Sequence, residues 1–145
     1  VREVLKRYQQ KDSRIQVIYR KENGHISRAT NSALQIAKGE FIVLMDNDDE
    51  ISRDALFEVV KLLQQHRDAD VIYSDSDKIT ESEERVDPYF KPDYCPDTLL
   101  SYNYISHLGI YRKTLIDQVG GFRIGVEGSQ DYDLLLRVTE LTDRV

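Results

Sequence analysis

Apolar positions change their period several times along the chain, and each change marks a predicted element. Val1, Val4, Leu5 and Tyr8 recur at helical spacing, which predicts one face of an amphipathic helix. "RIQVIY" then alternates and is rich in β-branched residues, the pattern of a strand. After "KENGH", whose Asn23-Gly24 is a turn signal, the apolar positions Ala29, Ala33, Ile36 and Ala37 predict a second helix from Ser27, with Gly39 as its left-handed cap. "FIVLM" is uninterrupted, as expected of a strand covered on both faces of a parallel sheet. Leu56, Val59, Val60 and Leu63 mark a third helix, with Ser52 as its N-cap and Asp54 in its first turn. "ADVIYSDSDKI" returns as a strand. Helix and strand alternating in this order imply right-handed crossovers and an α/β/α sandwich around a mostly parallel central sheet.

From Glu81 the pattern breaks. All three prolines, Pro88, Pro92 and Pro96, fall in "ESEERVDPYFKPDYCPDTLL" with Tyr89, Phe90 and Tyr94 between them, which predicts a long irregular excursion that packs rather than floats. "SHLGIYRK" then reads as a strand, "TLIDQVGGF" as a short helix closed by a glycine pair, and "SQDYDLLLRVTEL" as a helix capped by Ser129. The 145 residues suit a single domain, 1–145, with a core large enough to fold without disulfides.

Charge and cysteine content narrow the function. A net charge of -6 argues against nucleic acid as a partner. The one cysteine, Cys95, makes neither an intrachain disulfide nor a cysteine-rich zinc site, which points to a reducing, cytoplasmic compartment. No apolar run is long enough to cross a bilayer. Val1 opens the chain with neither an initiator Met nor a signal peptide, and the last residues stop inside a helical pattern, so both ends read as cut.

The candidate chemistry begins where "FIVLM" runs into "DNDDE". Ligands of open α/β sheets sit beyond the carboxyl ends of the strands. If the chain stays extended there, Asp46 and Asp48 project from one side, and paired hard oxygens with open positions suit Mg²⁺ or Mn²⁺ held together with substrate phosphates. The same acids equally suit a solvated loop that caps the next helix. An EF-hand is excluded, because Ile51 and Phe57 stand where that loop needs glycine and a bidentate glutamate. In "EGSQDYD", Asp131 falls in the first turn of the last helix, where an anion complements the dipole or where a carboxylate faces a cleft as a general base. Spacing leaves both readings open.

Taken together and in order, "KENGHISRATNSALQIAKGEFIVLMDNDD", "DADVIYSDSDKI", "FKPDYCPDTLLSYNYISHLGIYRK", "VGGF" and "EGSQDYDLLLRV" resemble the family-2 glycosyltransferases of the GT-A fold over nearly the whole chain, most of all the branch that builds bacterial surface polysaccharides, rhamnosyltransferase-like members included. The resemblance implies an incomplete GT-A domain, since the strands that bind the nucleotide base in this family would precede Val1 and a C-terminal part would follow. It implies an inverting, Mn²⁺- or Mg²⁺-assisted transfer from a nucleotide-diphospho-sugar donor to a glycan or lipid-linked glycan acceptor. The setting it implies is the cytoplasmic face of the membrane, with peripheral attachment through other parts of the protein. Asp48 matches the family's usual metal ligand, with Asp46 as the first acid of the Asp-x-Asp motif and Asn47 between them, and Asp131 matches its catalytic base. Asn23, Gly24, His25, Ser27 and Asn31 match the segment near the donor, and with Asn47 are the residues that the resemblance implies bind the nucleotide-sugar. Asp75, His107, Gly121 and Gln130 match the sugar and acceptor side, Gln130 standing where relatives often carry Glu. Two other readings remain at this point: a transferase-like sugar-binding module without activity, and a nucleotidyltransferase.

Overall fold

The alternation of faces in two short strands decides where the core lies. The computed structural model describes residues 1–145. Its elements are α1 (Arg2–Lys11), α2 (His25–Ile36), β1 (Phe41–Leu44), α3 (Ala55–Gln65), β2 (Val71–Tyr73), β3 (Ser76–Ile79), β4 (Arg85–Tyr89), α4 (Pro96–Ser101), β5 (Gly109–Arg112), α5 (Lys113–Gln118) and α6 (Gln130–Thr139). Successive strand side chains point to opposite faces. Val71 and Tyr111 accordingly enter the larger core with Leu34, Leu99, Ile116, Phe122 and the α6 residues Leu134, Leu135 and Val138. Ile72 and Ile110 enter a smaller one with Leu108, against Val59 and Leu63 of α3. The sheet is thus covered by α6, α5 and α4 on one face and by α3 on the other, the α/β/α arrangement that the sequence predicts.

The three-stranded sheet has the order β1-β5-β2. β5 is antiparallel to both neighbours, with Ile42 opposite Tyr111 and Ile72 opposite Ile110. β1 and β2 therefore run parallel to each other, as the crossover through α3 requires, but they flank β5 instead of pairing, so both pairings in this sheet are antiparallel where the sequence predicts mostly parallel ones. β1 is consequently an edge strand, and its apolar run is not fully covered: Val43 is 38% exposed.

Several local expectations are corrected. Residues 15–20 form no strand, because an alternating pattern becomes a strand only with a hydrogen-bonding partner, and none lies beside them. α2 begins at His25 and ends at Ile36, before Gly39, so Gly39 is no helix cap and is not left-handed. α3 starts after Asp54, not Ser52, and neither Asp54 nor Ser129 caps its helix through the side chain. The excursion from Glu81 is ordered: β3 and β4 form an antiparallel hairpin, and Pro96 opens α4 at a position where a missing N–H costs nothing. Pro88 is tolerated within β4 because that strand is an exposed edge. His107 precedes β5 by two residues instead of beginning it.

Polar clamps fix the turn between α5 and α6. The Asn31 side chain donates from Nδ2 to the Phe122 carbonyl at 2.8 Å and accepts the Phe122 N–H at 2.9 Å. Arg137, buried on α6, donates to the carbonyls of Val119 and Gly121, each at 2.8 Å, and pairs with Asp133 at 2.7 Å. These bonds set the start of α6, and with it Asp131.

Candidate functional site

After β1 the chain turns instead of staying extended. The Asp49 N–H reaches the Asp46 carbonyl at 3.4 Å, so the residues brought to one side are three apart rather than two. Asp46 and Asp49 converge with His107: one ligand atom from each lies within 4.8 Å of the others. His107 Nε2 is 3.6 Å from Asp46 Oδ2, and its Nδ1 is 3.9 Å from Asp49 Oδ2. Asn47 and Asp48 occupy the corner of the turn, and Asp48 is not in this group. Two carboxylates and an imidazole suit Mn²⁺ chemically, the oxygens being the hard ligands that Mg²⁺ also prefers.

Asp49 and His107 of this trio line a cleft of about 860 Å³ between the acidic loop, α3 and the β3–β4 hairpin. Six carboxylates line it against two cations, Lys61 and Arg85. A cleft of that sign repels a diphosphate unless a cation neutralises it. Asp75 lies on the cleft wall, but its Oδ1 is already engaged, accepting the Lys91 N–H at 2.8 Å.

Asp131 stands in the first turn of α6, half-buried. Its Oδ2 accepts from Ser106 Oγ at 2.9 Å and from Asn103 Nδ2 at 3.1 Å. Asn103 and Ser106 also bond each other, Nδ2 to Oγ at 3.0 Å. Both bonds fall on Oδ2, which leaves Oδ1 as the available basic atom. Tyr111 packs beneath, its hydroxyl pushed up by burial and secondarily by the Asp131 charge, so it stays protonated and neutral at any physiological pH. Gln130 turns away, its Oε1 accepting the Gly128 N–H at 2.6 Å.

Segment 103–107 joins the two halves: Asn103 and Ser106 face Asp131, while His107 faces the acids. From outside the segment, Lys91 Nζ donates to the Ile105 carbonyl at 3.0 Å and to the His107 carbonyl at 2.8 Å. Burial pulls the Lys91 ammonium down to about 8, against the opposing charge of Asp75.

The residues of the "NGHIS…N" segment are placed elsewhere. The Asn23 side chain accepts the His25 N–H at 3.0 Å, and His25 holds a left-handed φ of 52° at the first turn of α2. Gly24 packs where a Cβ would meet Arg20 and Arg28 at 2.8 Å. Ser27 is fully buried and its Oγ has no partner. Asn31 is spent on the Phe122 backbone, and Gly121 packs against Asn31. No hydrogen bond or ion pair joins any of these to the acidic loop. Conversely, Asp49, Asn103, Ser106 and Lys91 were not singled out from the sequence. The signal for Asn103 and Ser106 was their three-residue spacing around Tyr104 and Ile105, which are buried.

Comparison with known proteins bears on the whole arrangement. The sequence profile described as Glycosyl transferase family 2 matches residues 1–123. The chain is 50% identical over 137 residues to the Uncharacterized protein y4gI of Sinorhizobium fredii, covering 94% of this chain and 15% of that protein. It is 34% identical over 142 residues to the O-antigen biosynthesis protein RfbC of Myxococcus xanthus, covering 98% and 11%. To the chondroitin synthase of Pasteurella multocida it is 24% identical over 140 residues, covering 96% and 14%. The chain thus spans less than a sixth of the length of each of these three relatives. Asp131 lies beyond the residues matched by the profile.

Proposed function

The chain belongs to glycosyl transferase family 2, and from that premise we propose that the protein carrying it moves a sugar from a nucleotide-diphospho-sugar to a hydroxyl of a glycan or lipid-linked glycan, with inversion, in the making of a surface polysaccharide. The observation that carries this reading is the pairing of two half-sites on one segment: a carboxylate with a free oxygen, Asp131, and an acid–imidazole trio, Asp46, Asp49 and His107.

Asp131 Oδ1 takes the proton of the acceptor hydroxyl as that oxygen attacks the anomeric carbon. Ser106 and Asn103 hold the carboxylate in place through Oδ2, so no rotation of the acid is needed at the moment of transfer. Gln130, neutral and bonded to the loop, places no second carboxylate beside Asp131, which leaves Asp131 as the base of that half-site. The acidic loop and His107 would hold Mn²⁺ or Mg²⁺. When bound, such a cation supplies Lewis-acid neutralisation of the departing diphosphate. The names of the O-antigen biosynthesis and chondroitin synthase relatives support a polysaccharide product. No helix is long and apolar enough to cross a membrane, and the proposed setting is the cytoplasmic face of the membrane, with peripheral attachment through other parts of the protein.

The test is a titration of the full-length protein with UDP, dTDP and GDP, with and without Mn²⁺. One nucleotide should bind only with Mn²⁺, and Asp131→Asn should keep that binding while losing transfer by a factor of about 10²–10⁴. Binding that ignores Mn²⁺, or is lost equally in Asp131→Asn, contradicts the assigned roles. Asp48 is the ligand by resemblance and Asp49 by geometry. The geometry predicts that Asp49→Ala weakens Mn²⁺ binding more than Asp48→Ala.

A further inference from the structure

The loop that carries both half-sites has few regular hydrogen bonds of its own. Residues 102–108 belong to no helix or strand, and within it the Ser106 N–H reaches the Asn103 side chain at 3.3 Å. Something else must hold it in register with Asp131 on one side and the acidic loop on the other. Tyr104 and Ile105 anchor its middle in the core, and one side chain from outside bonds its main chain, that of Lys91, which follows the β3–β4 hairpin.

We propose that Lys91 is a positioning residue for both halves of the site: its ammonium, bonded to the carbonyls of Ile105 and His107, holds segment 103–107 so that His107 faces Asp46 and Asp49 while Asn103 and Ser106 face Asp131. This rests on the transferase reading of those two half-sites. The bonds span 14 and 16 residues of sequence, so they close a long loop and are not local decoration. They fall on two carbonyls that bracket Ser106, the residue bonded to Asp131. The backbone of Lys91 is itself anchored, its N–H donating to Asp75 at 2.8 Å. The line of contact therefore runs from the cleft wall through Lys91 to the segment and on to both functional ends.

The placement is unusual for a cation in this chain. The other enclosed cations have carboxylate partners: Arg112 pairs with Asp70, and Arg137 with Asp133. Lys91 is half-buried with carbonyl partners only. A charge partly withdrawn from water is costly, and the Asp75 carboxylate offsets that cost only through space, without an ion pair. An ammonium gives its bonds added strength, because charge-assisted bonds are about twice as strong as neutral ones.

The experiment uses the full-length protein and Mn²⁺ alone as the probe, followed by electron paramagnetic resonance, with amide hydrogen exchange across residues 103–107 as a second readout. Lys91→Met should weaken Mn²⁺ binding by about tenfold, as loss of a group that orients a ligand does, and should speed exchange at the Ser106 amide while the α6 amides stay protected. Lys91→Arg, which retains a cationic donor, should recover most of both. A merely structural role predicts a lower melting temperature with Mn²⁺ affinity of the folded protein unchanged, and that result overturns the proposal. Failure of the unmodified protein to bind Mn²⁺ sinks the metal reading instead. Exchange then decides Lys91 alone: unchanged exchange at Ser106 in Lys91→Met overturns it, and faster exchange there, reversed by Lys91→Arg, sustains it for the Asp131 half.

Discussion

At Gly121 two constraints meet in one residue. Its φ is +73°, and a Cβ there would lie 2.7 Å from Asn31 Oδ1, the atom that accepts the Phe122 N–H. Gly120 has a similar φ of +79° but open space around it. Gly121→Ala should therefore cost about 1–3 kcal/mol through strain and loss of the Asn31 clamp, and Gly120→Ala visibly less, the difference being read from urea midpoints. Arg137→Met tests the other clamp. It frees two carbonyls and strands the Asp133 carboxylate beside Arg123, so a loss of about 3 kcal/mol is expected. Equal stability of Arg137→Met and the unmodified protein would show that the buried guanidinium adds nothing. At this scale the sequence was partly legible. Asp46 and Asp131 stand out in the sequence because acids after an apolar strand and at a helix start are conspicuous by position. Asp49 does not stand out, because an extended chain would set Asp48 beside Asp46, and the turn that forms brings Asp49 there instead.

Elements were legible in proportion to how far their pattern is local. α6 carries its apolar face in its own sequence, and Leu134, Leu135 and Val138 are all fully buried, whereas of the face predicted for α3 only Val59 and Leu63 pack on the sheet and Leu56 and Val60 are exposed. The segment at residues 15–20 and the hairpin show the opposite limit, since a strand is defined by its partner and not by its own alternation. The hairpin is hard to see because β4 is exposed along its whole length and has no apolar face to announce it. Its surface pairs should matter little: Arg85 meets Asp77 at 2.7 Å but is 55% exposed. Arg85→Ala should lower stability by under about 1 kcal/mol, measured by thermal unfolding. A larger loss would mean that the hairpin depends on this pair for its register.

For the molecule as a whole, the far end of the sheet is tied together through Asp70, which is 1% exposed. Its carboxylate accepts from Arg112 Nε at 2.8 Å, from Thr142 Oγ1 at 2.6 Å and from Arg144 Nη2 at 2.6 Å, so β2, β5 and the chain's last residues meet on one side chain. Burial alone would raise its pKa, but the bonds from Thr142, Arg144 and Arg112 outweigh burial and hold it below the ordinary 3.8. A carboxyl depressed in the folded state adds stability that is complete above 3.8 and is lost as pH falls below it. Acid unfolding should accordingly begin below about pH 4, and Asp70→Asn should flatten that part of the curve while destabilising the protein by about 3 kcal/mol at neutral pH. An unchanged acid limb in Asp70→Asn would assign acid sensitivity to other carboxyls. At the opposite end, one irregular stretch, 103–107, meets both Asp46 and Asp49, through His107, and the proposed base Asp131, through Asn103 and Ser106. On the proposed reading, whatever ordering of that stretch a ligand on one side completes need not be repeated by a ligand on the other. By thermodynamic reciprocity the gain is the same in both orders, so donor and acceptor would each tighten the binding of the other by one common factor although they need share no atom of contact.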